Sequence, residues 1–152
     1  MAGGVINRRV LLGALVIGAS GGAYFLTRPD SARATDVTLS APEARQLVDE
    51  GKLILVDIRR PDEWARTGIA PGAHAIDMRR ADFVQAVKQA ASDTPDLPIA
   101  FICAAGVRSR RVTHALADAG LTNIVDIPEG MLGSSAGPGW VARGLPVVAV
   151  TQ

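Results

Sequence analysis

A chain of 152 residues, 48% hydrophobic and 20% charged, holds enough apolar material for one packed domain and not for two; with 4% aromatic residues, aliphatic side chains must supply the core. The net charge is +1, yet Arg8, Arg9, Arg28 and Arg33 against Asp30 place +3 on residues 1–34 and leave −2 on the remainder. A near-neutral, slightly acidic body argues against nucleic-acid binding, which needs a basic face to displace counterions from phosphates.

The N-terminus reads as an export segment. Arg8 and Arg9 form a short basic region, an uncharged run follows from Val10 to Leu26, and Ala32-Arg33-Ala34 supplies a site of the kind signal peptidases cut. The pair Arg8-Arg9 ahead of Val10-Leu11-Leu12 also resembles a twin-arginine signal. The competing reading is an uncleaved membrane anchor. The run from Val10 to Leu26 reaches about 25 Å at ~1.5 Å per residue, marginal for a ~30 Å hydrocarbon core, and Gly13, Gly18, Gly21 and Gly22 dilute its apolarity. Residues 1–34 are therefore read as a signal peptide or anchor and residues 35–152 as a folded domain in the periplasm, soluble or tethered by residues 10–26.

The body alternates helix and strand patterns. Ser40 and Glu43 form a capping-box pair, Leu47 and Val48 point inward, and Gly51 sits where the helix would end. The run "KLILVDI" is a strand buried on both sides, and Pro61 and Pro71-Gly72 mark turns before a short strand in "HAIDM". Phe83, Val84 and Val87 are spaced for a helix, "LPIAFIC" is a second buried strand, and Val112, Ala115, Leu116 and Ala119 fall on one face of the following helix. "NIVDI" is another strand, and the Gly/Ser-rich "GMLGSSAGPG" is a loop. This order predicts an α/β domain with a mostly parallel sheet of about five strands and helices on both faces.

Cys103 is the chain's single cysteine and ends "LPIAFIC", where open parallel sheets gather their ligands. Ala104, Ala105, Gly106, Val107 and Arg108 link it to the next helix, with Ser109 following. Small residues and a glycine let successive backbone N–H groups converge on an anion, the helix start adds partial positive charge, and Arg108 adds a full one. All three favour thiolate over thiol; the alternative is a cysteine that merely packs.

These residues resemble the rhodanese sulfurtransferase family. "LVDIRRPDEWARTGIAPGAHAIDM" is similar to its first signature, "CAAGVRS" to the active-site loop of single-domain members, and "EGMLGSSAGPGWVARGLPV" to its closing segment. The resemblance implies a single rhodanese-like domain in which Cys103 accepts a sulfane sulfur from a small anionic, thiosulfate-like donor. It then passes the sulfur to a thiol, cyanide or protein acceptor and needs no cofactor; nothing in the sequence demands more than a monomer. Residues Ala104 to Ser109 would bind the donor, with Arg108 meeting its anionic groups. The signature departs from the common Gly-His-Ile-Pro-Gly-Ala, reading Gly68-Ile69-Ala70-Pro71-Gly72-Ala73.

Other residues receive plainer assignments. Asp57 and Arg59 could support the Cys103 loop, or form an ion pair that fixes a turn. Arg110 and Arg111 could widen the positive field or be a solvated face. Trp64 and Trp140 cover the core, His74 and His114 are structural or surface residues and not general bases, and two histidines with one cysteine are too few for an ordinary metal site. A phosphatase or arsenate reductase would use a loop one residue longer before its arginine, to hold a tetrahedral oxyanion. A non-catalytic binding or sensing module, or a periplasmic sulfur carrier, is the remaining alternative.

Overall fold

The computed structural model describes residues 37–150; the segment read as a signal or anchor, residues 1–34, lies outside them. Helix α1 (Ala41–Asp49) leads into strand β1 (Ile54–Asp57), followed by α2 (Pro61–Thr67), β2 (His74–Ala75) and α3 (Phe83–Ala90). Then come β3 (Ile99–Ile102), α4 (Val107–Asp118) and β4 (Ile124–Asp126). No helix among the described residues is long and apolar enough to cross a membrane.

The four strands form one parallel sheet in the order β2-β1-β3-β4. Beside β4, Thr38 makes a single parallel bridge to Asp126 where a fifth strand would pair. Both faces are covered because strand side chains alternate. Leu55, Ala100, Ile102 and Val125 pack with α1 residues Ala41 and Ala44 and with Met131 and Trp140. Ile54, Val56, Phe101 and Ile124 pack with Val87 of α3 and with Val112 and Leu116 of α4. Chain order reverses between β1 and β3, since β1 leads outward to β2 while β3 begins the other half. That reversal opens a crevice at the carboxyl ends of these two strands.

Helix α1 begins and ends as its sequence dictates. Ser40 is its N-cap, its own N–H donating to Glu43 Oε2 at 2.8 Å. Gly51, at φ +65°, takes the left-handed turn after the helix, with Gly51 N–H donating to Val48 O and Lys52 N–H to Leu47 O. Two helical faces differ from their expected residues. In α3, Val84 is 41% exposed and the inward stripe is the buried Val87 with the half-buried Phe83, Ala86 and Ala90. In α4, Ala115 and Ala119 are exposed, and Ser109, Val112, Thr113 and Leu116 face the sheet. Both real stripes follow the i, i+3, i+4, i+7 spacing, which tolerates a small or polar residue where an apolar one was expected.

Trp140 is fully buried and its indole N–H donates to Pro146 O at 2.8 Å, so it both fills the α1 face and ties down the closing segment. Trp140→Ala should cost about 3–5 kcal/mol of stability, measured by urea denaturation. A loss under about 1 kcal/mol would show that this face repacks without it.

Candidate active site

Cys103 follows directly on β3 and continues its alternation into the face covered by α4, where it is 1% exposed. It lies at the β1/β3 crevice, where Ile58 N–H donates to Ile102 O and locks the two strand ends together. The chain then crosses Ala104 and Ala105 to Gly106, the N-cap of α4, which sits at φ +77°. That left-handed geometry is one reason for glycine here. The other is space, because a Cβ on Gly106 would collide with the Pro128 carbonyl.

The loop is braced by the segment after β4. Met131 N–H donates to Cys103 O and Leu132 N–H to Ala104 O, both at 2.8 Å. Gly130, at φ +68°, brings its backbone so close that a Cβ there would meet Ala104 O and Ala105 N. Carbonyls of the loop thus turn outward to these donors. Among the described residues, none of the backbone N–H groups from Ala104 to Ser109 donates to a protein acceptor. Those six N–H groups, together with the start of α4, carry partial positive charge that no protein acceptor among the described residues takes up.

The side chains of the predicted loop do not act alike. Ser109 is fully buried, and Cys103 Sγ lies 3.7 Å from its hydroxyl, which itself donates to Gly106 O at 3.1 Å. Val107 is 58% exposed and Ala105 also faces solvent. Arg108 lies near enough to Cys103 for both a side-chain and a charge interaction between them, and its guanidinium is also engaged by a carboxylate. Its two terminal nitrogens donate to the two carboxylate oxygens of Glu63 at 2.8 and 2.6 Å. Sequence reading gave Arg108 a full positive charge to meet anionic substrate groups; in the structure the Glu63 carboxylate pairs with that charge. Arg110 and Arg111 are exposed on α4.

Glu63 is the main residue that sequence reasoning missed. It is the third residue of α2, buried, and also accepts the Arg60 backbone N–H at 3.0 Å. The Arg108 guanidinium, ahead of the Arg60 N–H, holds its carboxyl down at about 2 against the opposing effect of burial. A local signal exists, an acid in the first turn of a helix. Its decisive partner, though, lies on another helix and only the fold brings it near.

Asp57 and Arg59 form a fully buried pair, with Arg59 Nε and Nη2 donating to the Asp57 carboxylate at 2.7–3.0 Å. The remaining Arg59 donors go to Thr67 Oγ1 and Gly68 O, both at 2.7 Å. These contacts fix the end of α2 against β1 and do not reach the Cys103 loop. The pair is therefore the turn-fixing alternative, and its positive charge is spent on Asp57. Trp64 and Trp140 are both buried, as expected of core covers. An apolar cleft of about 420 Å³ lies apart from the thiol, between Pro61, Trp64 and Thr67 on one side and Val147 and Val148 on the other.

Because Glu63 is held at about 2 against an ordinary 4.5, its pairing with Arg108 stabilises the fold fully above pH 4.5. That contribution is lost as pH falls through 2. Glu63→Gln should therefore be less stable than the parent at pH 7 and lose less stability between pH 5 and pH 2, as read by denaturant midpoints across that range. Parallel acid profiles for the two proteins would refute the pairing.

Solved structures share the fold. The thiosulfate sulfurtransferase of Pseudomonas aeruginosa is 24% identical over 76% of this chain and 21% of its own, with a TM-score of 0.59. This chain thus spans about a fifth of that protein. The polysulfide-sulfur transferase homodimer of Wolinella succinogenes is 24% identical over 79% of this chain and 83% of its own, again with a TM-score of 0.59. A protein of unknown function from Rhodopseudomonas palustris, described as a possible tyrosine phosphatase, is 26% identical over 84% of this chain and all of its own, at a TM-score of 0.54. No curated protein matches the sequence. The sequence model of the rhodanese-like domain matches residues 40–136. That match takes in more than half of the chain, from the cap of α1 through the segment that braces the Cys103 loop, and the chain belongs to the family of rhodanese-like domains.

Proposed function

We propose that this domain is a sulfurtransferase that carries sulfane sulfur on Cys103 as a persulfide. The observation that carries the reading is the six acceptor-free backbone N–H groups following a thiol at the β1/β3 crevice. Converging amides stabilise negative charge on a terminal sulfur and in the transition state that delivers it. The thiolate attacks the outer sulfur of a donor such as thiosulfate, the S–S bond breaks, and sulfite leaves with the bonding pair. A thiol, cyanide or protein nucleophile then takes the outer sulfur and restores the thiolate, a double displacement. No cofactor enters either half.

Arg108 has a smaller part than its sequence position implied. With both terminal nitrogens on Glu63, it acts as a rigid wall of the loop and offers only part of its charge to a donor. Four residues between Cys103 and Arg108 and this neutralised arginine both argue against a phosphatase, which must bind a dianionic oxyanion. A thiol at a strand end followed by amides without acceptors among the described residues favours catalysis over a non-catalytic binding module. Export to the periplasm and a monomeric state belong to the same proposal; cell fractionation and sedimentation test them.

Intact mass of the protein should rise by one sulfur atom after thiosulfate and fall back after cyanide, with neither change in Cys103→Ser. A folded protein with a free thiol that gains no sulfur from thiosulfate or polysulfide overturns the proposal. Glu63→Gln should lower the KM for thiosulfate by about fivefold, the worth of ~1 kcal/mol of partly exposed charge. An unchanged KM would mean that Arg108 does not meet the donor at all.

A further inference from the structure

Asp126 is a buried carboxylate that the mechanism above does not use. It ends β4, is 4% exposed, and its Oδ1 has no hydrogen-bond partner among the described residues. Such an atom is costly unless something occasionally pairs with it. Parallel pairing places Asp126 beside Phe101 of β3, two residues before Cys103 and on the same α4-facing side. Ser109 of α4 stands between them. Its hydroxyl lies 3.7 Å from Cys103 Sγ and close enough to the Asp126 carboxyl to stabilise the charge there.

We propose that Asp126 holds the proton of Cys103 when the thiolate forms, with Ser109 as the bridge between them. The inference rests on Cys103 being the reactive group. The S–H bond breaks and its proton passes to Ser109 Oγ, while the Ser109 proton passes to Asp126 Oδ1. The hydroxyl now donating to Gly106 O turns towards Asp126 as it does so. Carboxylate and thiol become carboxylic acid and thiolate, with one negative charge before and after. Burying a second negative charge in the same apolar layer would cost far more than moving the one already present. Asp126 touches no sulfur and acts only through Ser109.

The environment of the carboxyl suits that role. Burial raises its proton affinity above the ordinary 3.8, and Ser109, Arg110, the Ile127 N–H and His114 only partly offset this. Arg110 and His114 of α4 are the charged or titratable side chains among the described residues that act on it. A carboxyl whose proton affinity is raised by burial holds a transferred proton more readily than an ordinary one.

Alkylation of Cys103 by iodoacetamide, followed against pH on the full chain, reads the thiolate without any sulfur donor. Failure of this inference and failure of sulfur transfer are therefore separate results. The parent should show two ionisation steps belonging to the pair, and Asp126→Asn a single step, with the acid limb displaced by about one pH unit or more. Superimposable profiles overturn the proposal. Should Asp126→Asn not fold, Cys103→Ala reads the same coupling from the other side through the carbon-13 carboxyl resonance of Asp126. Its titration should shift by a comparable amount when the sulfur is removed, and an unmoved titration overturns the proposal as well.

Discussion

Backbone contact between the loop after β3 and the segment Pro128–Leu132 is the constraint from which the site follows. Met131 and Leu132 capture the carbonyls of Cys103 and Ala104, so those carbonyls turn away and the loop N–H groups are left without acceptors among the described residues. Such an approach is possible only because Gly106 and Gly130 lack Cβ atoms where Pro128 and Ala104 would obstruct them. Both glycines also occupy left-handed backbone that other residues enter at a cost of about 1–2 kcal/mol. The parallel sheet delivers the thiol to a crevice, and this second segment shapes what surrounds it.

Charge is distributed with equal economy around that crevice. Arg59 is absorbed by Asp57 and Arg108 by Glu63. Glu129, also buried, accepts from Ala41 N–H, Gly139 N–H and Arg143. Each of these pairs joins segments distant in sequence or closes a turn, and each satisfies donors that burial would otherwise strand. In the proposed reaction, neutral backbone dipoles of the loop share the stabilisation of negative charge, and they cost no desolvation of a free cation. Among the described residues, one oxygen of the buried Asp126 carboxylate is left without a partner.

Much of the architecture was legible in the residues. The capping box of α1, its closing Gly51, and the doubly buried runs that became β1 and β3 were all set by local chemistry and periodicity. Loop geometry was legible too, since a cysteine at a strand end followed by small residues and glycine leaves few alternatives. The inward faces of α3 and α4 were less so. Val84 and Ala115 point to solvent while Ser109 and Thr113 are buried, because which side of a helix meets the sheet depends on its docking angle.

By itself, the sequence determined the order of helices and strands, the family signatures, and the placement of the lone thiol at a strand end before a helix. Those features depend on spacing within a few residues of one another. Only the tertiary structure decided which charges meet: Arg108 with Glu63 across 45 residues, Asp57 with Arg59 in place of the loop, and Asp126 with the surroundings of Ser109. Electrostatic partnership depends on distance in space and on burial, and neither is a property of a residue's neighbours along the chain.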